Sequence, residues 1–163
     1  MMRIIYGDIC QADCEAVVNA SNGIGYMGGK KGIKKRLSGV AESIHYVSNG
    51  KIEQAAKKLC RENSIFGYAP GSVYVTPAYE MQCNYIIHAV TMRFPGSMSN
   101  TKTIRILLPK IMEEVRKLGI KSVAIPLLGT GTGHVSEQKV LALYSEVFEQ
   151  FGDIDICVYI YRK

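Results

Sequence analysis

The chain has 163 residues, of which 47% are hydrophobic and 21% charged, a composition typical of a single globular domain. No apolar stretch approaches the roughly 20 residues of a membrane span, and the first six residues carry no signal-peptide pattern, so we expect a cytoplasmic protein without membrane contact. The net charge of +6 favours an anionic partner.

Scattered cysteines and few histidines argue against a metal centre. No two of the five cysteines form a Cys-X-X-Cys pair, and Cys60, Cys83 and Cys157 lie in apolar surroundings typical of small core residues. His88 lies in an apolar strand pattern and is expected in the core. We therefore expect neither a metal ion nor a cofactor.

Strand and helix patterns alternate along the chain. The predicted strands cover residues 3–6, 16–19, 72–76, 84–90, 122–128 and 154–161, and the predicted helices cover about 30–47, 51–61, 104–118 and 140–151. Pro109 either opens the third helix or kinks it, and Gly119 closes that helix. Apolar strands alternating with helices predict an α/β fold, with a mixed or parallel sheet covered on both faces.

Two glycine-rich loops follow predicted strands. In residues 125–134, Ile-Pro-Leu-Leu-Gly-Thr-Gly-Thr-Gly-His, a strand pattern ends in three glycines at alternate positions, and residues 23–29 contain four glycines in seven residues. Ligands of such folds bind at the carboxyl ends of strands, where glycine backbone can approach a phosphate closely. The pattern predicts a phosphate site between the loops; an ordinary tight turn is the alternative. The loop at residues 125–134 is neither a P-loop nor a dinucleotide fingerprint.

Five motifs, taken in order, resemble the macro domain family, whose members bind ADP-ribose and related nucleotides. They are Gly7-Asp8-Ile9, Asn19-Ala20-Ser21-Asn22, the 23–29 loop, the strand at 85–90 and the 129–133 loop. The resemblance implies one three-layer α/β/α macro domain over residues 1–163, with a mixed, mostly parallel central sheet.

The resemblance also implies roles for individual residues. Asp8 would accept a hydrogen bond from the adenine amino group beside the Ile9 backbone, and Asn22 would bond the distal ribose; a turn cap is the alternative for each. Tyr161 would stack on adenine, although Tyr159 shares its strand face. The diphosphate and distal ribose would lie against Gly28, Gly29, Gly129, Thr130, Gly131, Thr132, Gly133 and His134, the last of which alternatively caps the next helix.

Some macro domains only bind ADP-ribose, whereas others remove it from proteins or deacetylate O-acetyl-ADP-ribose. One hydrolytic branch has an aspartate after the glycine-rich loop, but the matching stretch at residues 28–32 holds lysines and no acid. Another branch uses a nucleophilic lysine, for which Lys31, with Lys30 and Lys34, is the candidate beside Asn22. Because residues 92–103 contain no acid, Glu137 is the nearest carboxylate partner.

A basic run gives a third interpretation. Its cations fall within seven residues without an acid among them: Lys30, Lys31, Lys34, Lys35 and Arg36. Such a run is either a solvated helix face or a surface for RNA or poly-ADP-ribose, though no RNP1 sequence is present. We expect ADP-ribose or a derivative as ligand, and the sequence leaves open whether the domain also hydrolyses ADP-ribose adducts. The alternatives are a non-catalytic reader of ADP-ribosylated proteins and a nucleic-acid-binding module.

Overall fold

In a computed structural model of the protein, which describes residues 1–162, six strands form one sheet with helices on both faces. The strands are β1 (Met2–Tyr6), β2 (Ala16–Asn22), β3 (Val73–Pro77), β4 (Tyr85–Met92), β5 (Ser122–Pro126) and β6 (Asp155–Ile160). The helices are α1 (Gly29–Lys34), α2 (Val40–Val47), α3 (Lys51–Asn63), α4 (Thr101–Lys117) and α5 (Glu137–Phe148).

The sheet has the order β1-β6-β5-β2-β4-β3, and every neighbouring pair is parallel except β3 with β4. The expectation of a mixed, mostly parallel sheet is therefore confirmed. Because β1, β2, β4, β5 and β6 run in one direction, their carboxyl ends meet at the same edge. The loops that follow these strands are brought together there.

Each face of the sheet has its own core. One core packs α4 and α5 against alternate strand residues such as Ala16 and Val18, while Val17 points into the other, which contains α2 and α3. The three cysteines predicted to lie in the core, Cys60, Cys83 and Cys157, are buried. In residues 1–162, no helix has the length and apolar content needed to cross a membrane.

The predicted helix over residues 30–47 is two helices. α1 ends at Lys34, and α2 begins after Gly39, whose φ of 110° is open to glycine and strained for other residues. A Cβ on Gly39 would also collide with the Glu42 carboxylate. Repulsion among the lysines disfavours a continuous helix, and the break leaves residues 35–39 at the carboxyl edge of the sheet.

Helix α4 begins earlier than the pattern predicted. The Asn100 side chain accepts a hydrogen bond from the Thr103 N–H at 2.9 Å and caps the helix, so Pro109 lies inside it instead of opening it. Proline has no N–H, so the Arg105 carbonyl lacks its usual helical partner. Gly119, with φ of 69°, closes the helix as predicted.

Tyr144 on α5 holds the end of β5. Its hydroxyl donates to the Pro126 carbonyl at 2.6 Å and accepts the Leu128 N–H at 2.9 Å, and the residue is fully buried. The hydrogen bonds fix the point at which the glycine loop leaves the sheet.

We expect Tyr144→Phe to lower the free energy of unfolding by about 1–3 kcal/mol, because two buried backbone groups lose their partner. Urea denaturation measures the change. Tyr46→Phe, at a 42% exposed ring, is the control and should change stability by less than about 0.5 kcal/mol. Equal midpoints for both variants would contradict the role given to Tyr144.

Candidate functional site

A crevice of about 570 Å³ opens at the carboxyl edge of the sheet. Residues 129–133 form one wall and residues 38–42 form the other, and the ends of β2, β4 and β6 border it as well. Its volume is in the range of small-molecule sites. The sequence pattern identified the first wall and missed the second, although Ser38-Gly39 is a turn signal within the basic run.

A second cavity of about 530 Å³ adjoins the crevice. It is bordered by residues 7–9, by Arg36 and Ser43, and by residues that also border the crevice: Ser38, Gly39, Val40, Pro126, Tyr159 and Tyr161. The two cavities therefore form one long groove, which suits an extended ligand with chemically different ends.

Both walls of the crevice carry backbone N–H groups that have no acceptor within residues 1–162. They belong to Gly131, Thr132 and Gly133 on one wall, and to Val40 and Ala41 on the other. The latter two lie in the first turn of α2, whose N-cap residue has no side chain to accept their hydrogen bonds. Two sets of unpaired N–H groups around one cavity suit an anion with several oxygens, such as a diphosphate.

The wall at residues 129–133 is tightly folded. The Val135 N–H donates to the Gly129 carbonyl at 2.8 Å, and a Cβ on Gly133 would lie 2.6 Å from that carbonyl oxygen. Thr130 anchors its side chain on the Leu127 carbonyl at 2.8 Å. His134 has φ of 58°, is exposed, and borders neither cavity.

Asn22 borders the crevice while most of its amide is bonded within its own loop. Its oxygen accepts the N–H groups of Ile24 at 3.2 Å and Tyr26 at 3.1 Å, and its nitrogen donates to the Tyr26 carbonyl at 2.8 Å. The turn-capping alternative thus describes its bonds. One N–H of the amide is left for a ligand.

The second glycine-rich loop borders the crevice through Tyr26, whereas its glycines do not. Gly28 and Gly29 border neither cavity, so the wall opposite residues 129–133 is the start of α2 instead of this loop. Glu53 accepts the N–H groups of Met27 at 2.6 Å and Gly29 at 3.0 Å, and His45 donates to the Gly29 carbonyl at 2.8 Å. These bonds hold the loop to α2 and α3.

The basic run lies on the surface beside that loop. Lys30, Lys31, Lys34 and Lys35 are exposed, border neither cavity, and take part in no ion pair within residues 1–162. Lys31 is therefore not brought into the groove, and its catalytic role stays a prediction.

Asp8 and Arg36 form an ion pair at the second cavity. One Asp8 oxygen accepts the Cys10 N–H at 3.0 Å, and the other accepts from the Arg36 guanidinium at 2.5 Å. Arg36 also donates from Nε to the Ser43 hydroxyl at 3.3 Å. Burial opposes the charge of Arg36, yet Asp8 raises its pKa above the usual value. Asp8 is thus a turn cap that also borders a cavity.

Tyr159 and Tyr161 border both cavities. Tyr161 is 68% exposed, whereas Tyr159 is half-buried and packs against the core of α2 and α3. Both rings are therefore placed where a base can stack, and the choice between them stays open.

Two carboxylates border the crevice. Burial raises the pKa of Glu42, and its own N–H and His45 offset that only in part. Glu137 is paired with Arg162 at 2.6 Å, and this pair lowers the pKa of Glu137. The two carboxyl groups at the crevice therefore have pKa values shifted in opposite directions. The sequence has no acid at residues 28–32, but residues 38–42 form this wall of the crevice, and they include Glu42.

His88 is a core residue, as expected. Its Nε2 lies 2.9 Å from the Thr76 hydroxyl and its Nδ1 lies 3.2 Å from the Asn19 amide, while its ring stacks on Tyr74. Complete burial lowers its pKa to about 3, so the imidazole is neutral at physiological pH. Among residues 1–162, no three His, Cys, Asp or Glu side chains are grouped to hold a metal ion.

A family model described as "Macro domain" matches residues 18–144. The chain belongs to the macro domain family. This macro domain is 30% identical over 131 residues to an uncharacterized protein of Thermoplasma volcanium, a match that covers 80% of this chain and 66% of the relative. It is also 28% identical over 154 residues to the DNA ADP-ribosyl glycohydrolase of Mycobacterium bovis, covering 94% and 40% of the two chains. The macro domain thus spans under two thirds of either relative.

Solved macrodomains have the same fold. The macrodomain of Mycobacterium tuberculosis DarG superposes with a TM-score of 0.82 at 27% identity, covering 98% of this chain and 97% of that one. A mutant Oceanobacillus iheyensis macrodomain with ADPR superposes with a TM-score of 0.80 at 21% identity, covering 98% and 84%. The three-layer fold expected from the sequence is therefore shown.

The charge of Glu53 makes its hold on the loop before α1 dependent on pH. Burial alone would raise its pKa, but the N–H groups of Gly29 and Met27, with Lys57 and His45, lower it below the usual 4.5. A carboxyl group whose pKa is lower in the folded state stabilises that state above the unfolded pKa. This contribution is lost as pH falls through the folded pKa.

We expect Glu53→Gln to lower the free energy of unfolding by about 1.5–3 kcal/mol at pH 7, because a charged acceptor of two N–H groups is lost. The difference from the unmodified protein should shrink as pH falls below about 4.5. Urea unfolding at several pH values measures this, with the exposed α3 residue variant Glu62→Gln as control. A difference that is the same at every pH would show that Glu53 acts through packing alone.

Proposed function

We propose that this macro domain binds the ADP-ribose group along the groove, with adenine in the second cavity and the diphosphate and distal ribose in the crevice. The observation that carries the proposal is the two sets of unpaired N–H groups across the crevice, adjoining a cavity with an acceptor carboxylate and tyrosine rings. The Oceanobacillus iheyensis macrodomain with ADPR supports it at the level of a shared fold.

The residues divide along the length of the ligand. The Asp8 carboxylate and the Ile9 backbone hydrogen-bond the edge of adenine, and the ring of Tyr161 or Tyr159 stacks on its face. The N–H groups on both walls, including those of residues 131–133, take the diphosphate oxygens. The remaining Asn22 N–H takes the distal ribose.

Hydrolysis of ADP-ribose adducts is the activity proposed for this site. The relative named DNA ADP-ribosyl glycohydrolase is 28% identical over 94% of this chain. Its name supports a reaction in which the acceptor is released from the distal ribose. Glu42 borders the crevice with a raised pKa and is suited to general acid–base catalysis there. Lys31 acting as nucleophile is the competing mechanism and requires α1 to move toward the groove.

Nucleic-acid binding is the second candidate. Four exposed lysines on and just after α1 have no carboxylate partner within residues 1–162. Such a surface suits the phosphates of RNA, DNA or poly-ADP-ribose. In that case the groove would serve as a reader of modified partners.

We expect calorimetric titration to give micromolar affinity for ADP-ribose, which corresponds to about −8 kcal/mol, and much weaker affinity for AMP, which lacks the distal ribose. Repeating the titration at salt concentrations from roughly 50 to 200 mM separates the two candidates. Affinity that barely responds to salt favours the groove, whereas oligonucleotide binding that falls steeply favours the lysine surface. If ADP-ribose does not bind at any salt concentration, the proposed function fails.

We expect Glu42→Gln to slow release of ADP-ribose from ADP-ribosylated oligonucleotide or protein by roughly 100-fold or more, with ADP-ribose affinity within about threefold. Lys31→Ala should leave release nearly unchanged, and Lys30→Ala and Lys34→Ala are its matched controls. Chromatography of released ADP-ribose measures the rates. Loss of release in Lys31→Ala, with Glu42→Gln active, would reverse the assignment in favour of the lysine mechanism.

A further inference from the structure

Arg36 lies at the second cavity because of the break between α1 and α2. Its guanidinium joins Asp8, at 2.5 Å, to Ser43, at 3.3 Å, and so connects the loop after β1 with the second turn of α2. The side chain of Arg36 is 39% exposed. Ion pairs this exposed contribute little to folding stability, so stability does not account for the arrangement.

We propose that Arg36 is a base-recognition residue, which stacks on the purine and fixes the carboxylate of Asp8. The inference rests on the proposed function and names the residue that selects the base within it. Arg36 comes from the segment before α2 and Tyr161 from the chain just after β6, and both planar groups border the cavity. A purine between them is in contact with a guanidinium and an aromatic ring.

The hydrogen-bond inventory of the pair leaves room for a ligand. A carboxylate accepts about four hydrogen bonds, and Asp8 uses one position for Cys10 and one for Arg36. The guanidinium has five N–H donors, of which two are used within residues 1–162. Asp8 therefore stays an acceptor for the base, held in one orientation by Arg36.

Arginine suits this position better than lysine. The guanidinium is planar, weakly hydrated and able to stack on a base, and its fork can bond Asp8 and Ser43 together. A lysine ammonium keeps the charge but cannot form both bonds and stack as well. A larger base gains more from the stacking, so purine nucleotides should bind more tightly than pyrimidine nucleotides.

The test compares the affinities for ADP and UDP, which carry the same ribose and diphosphate. We expect the unmodified protein to prefer ADP, and Arg36→Ala to reduce the ratio of the two affinities by roughly 5- to 30-fold. Lys35→Ala removes an adjacent exposed charge that borders neither cavity, and the ratio should stay within about twofold. Arg36→Lys should give an intermediate ratio. Competition calorimetry measures both ligands, and thermal melting checks that each variant is folded.

Each outcome is decisive. If the unmodified protein binds neither ADP nor ADP-ribose, the proposed function fails first. If it binds ADP and Arg36→Ala keeps the same ratio, or if ADP and UDP bind equally well to the unmodified protein, the role of Arg36 is overturned. If Lys35→Ala lowered the ADP-to-UDP affinity ratio as much as Arg36→Ala does, the effect would be one of net charge. If Arg36→Lys kept the ratio of the unmodified protein, stacking by the guanidinium would be excluded.

Discussion

The site depends on backbone N–H groups on two walls of the crevice that find no acceptor among residues 1–162. Helix α2 supplies one set at its first turn, and the loop after β5 supplies the other. Together they border one cavity and add their partial positive charges to it, beside the charged side chains of Glu42, Glu137 and Arg162. Tyr144 and Gly39 matter because each holds one of these walls in position.

The two glycine-rich loops both allow close backbone approach but lie against different parts of the molecule. In residues 129–133, Gly133 allows the backbone to approach the Gly129 carbonyl beside the crevice. In the loop before α1, a Cβ on Gly23 would lie 2.1 Å from the Tyr68 carbonyl oxygen, and a Cβ on Gly25 would lie 2.7 Å from the Lys57 backbone nitrogen. His45 and Glu53 then bind the backbone of that loop from within the fold. Glycine content alone therefore does not distinguish a loop that forms a crevice wall from one that packs against the rest of the fold.

The sequence was sufficient for the strands, the sheet type and the wall at residues 129–133, because alternating apolar strands and a glycine loop are local patterns. It was not sufficient for the wall at residues 38–42. Helical periodicity continues from α1 into α2, whereas the structure has a break there, at which Gly39 takes a positive φ. Arg36 was assigned only to a basic run, since its partner Asp8 is 28 residues away. For Asp8 and Asn22, the alternatives of cap and ligand group are compatible, because each side chain caps a turn and also borders a cavity.

The crevice lies across the edge of the sheet, with one wall in each layer of the fold. Val40 packs with the core of α2 and α3, while Leu127 and Leu128 pack with the core of α4 and α5. An anion bound to both walls is therefore a crosslink between two cores that the sheet otherwise separates. Ligand affinity becomes a measure of how accurately the layers are aligned, and a substitution deep in either core can weaken binding without touching the ligand.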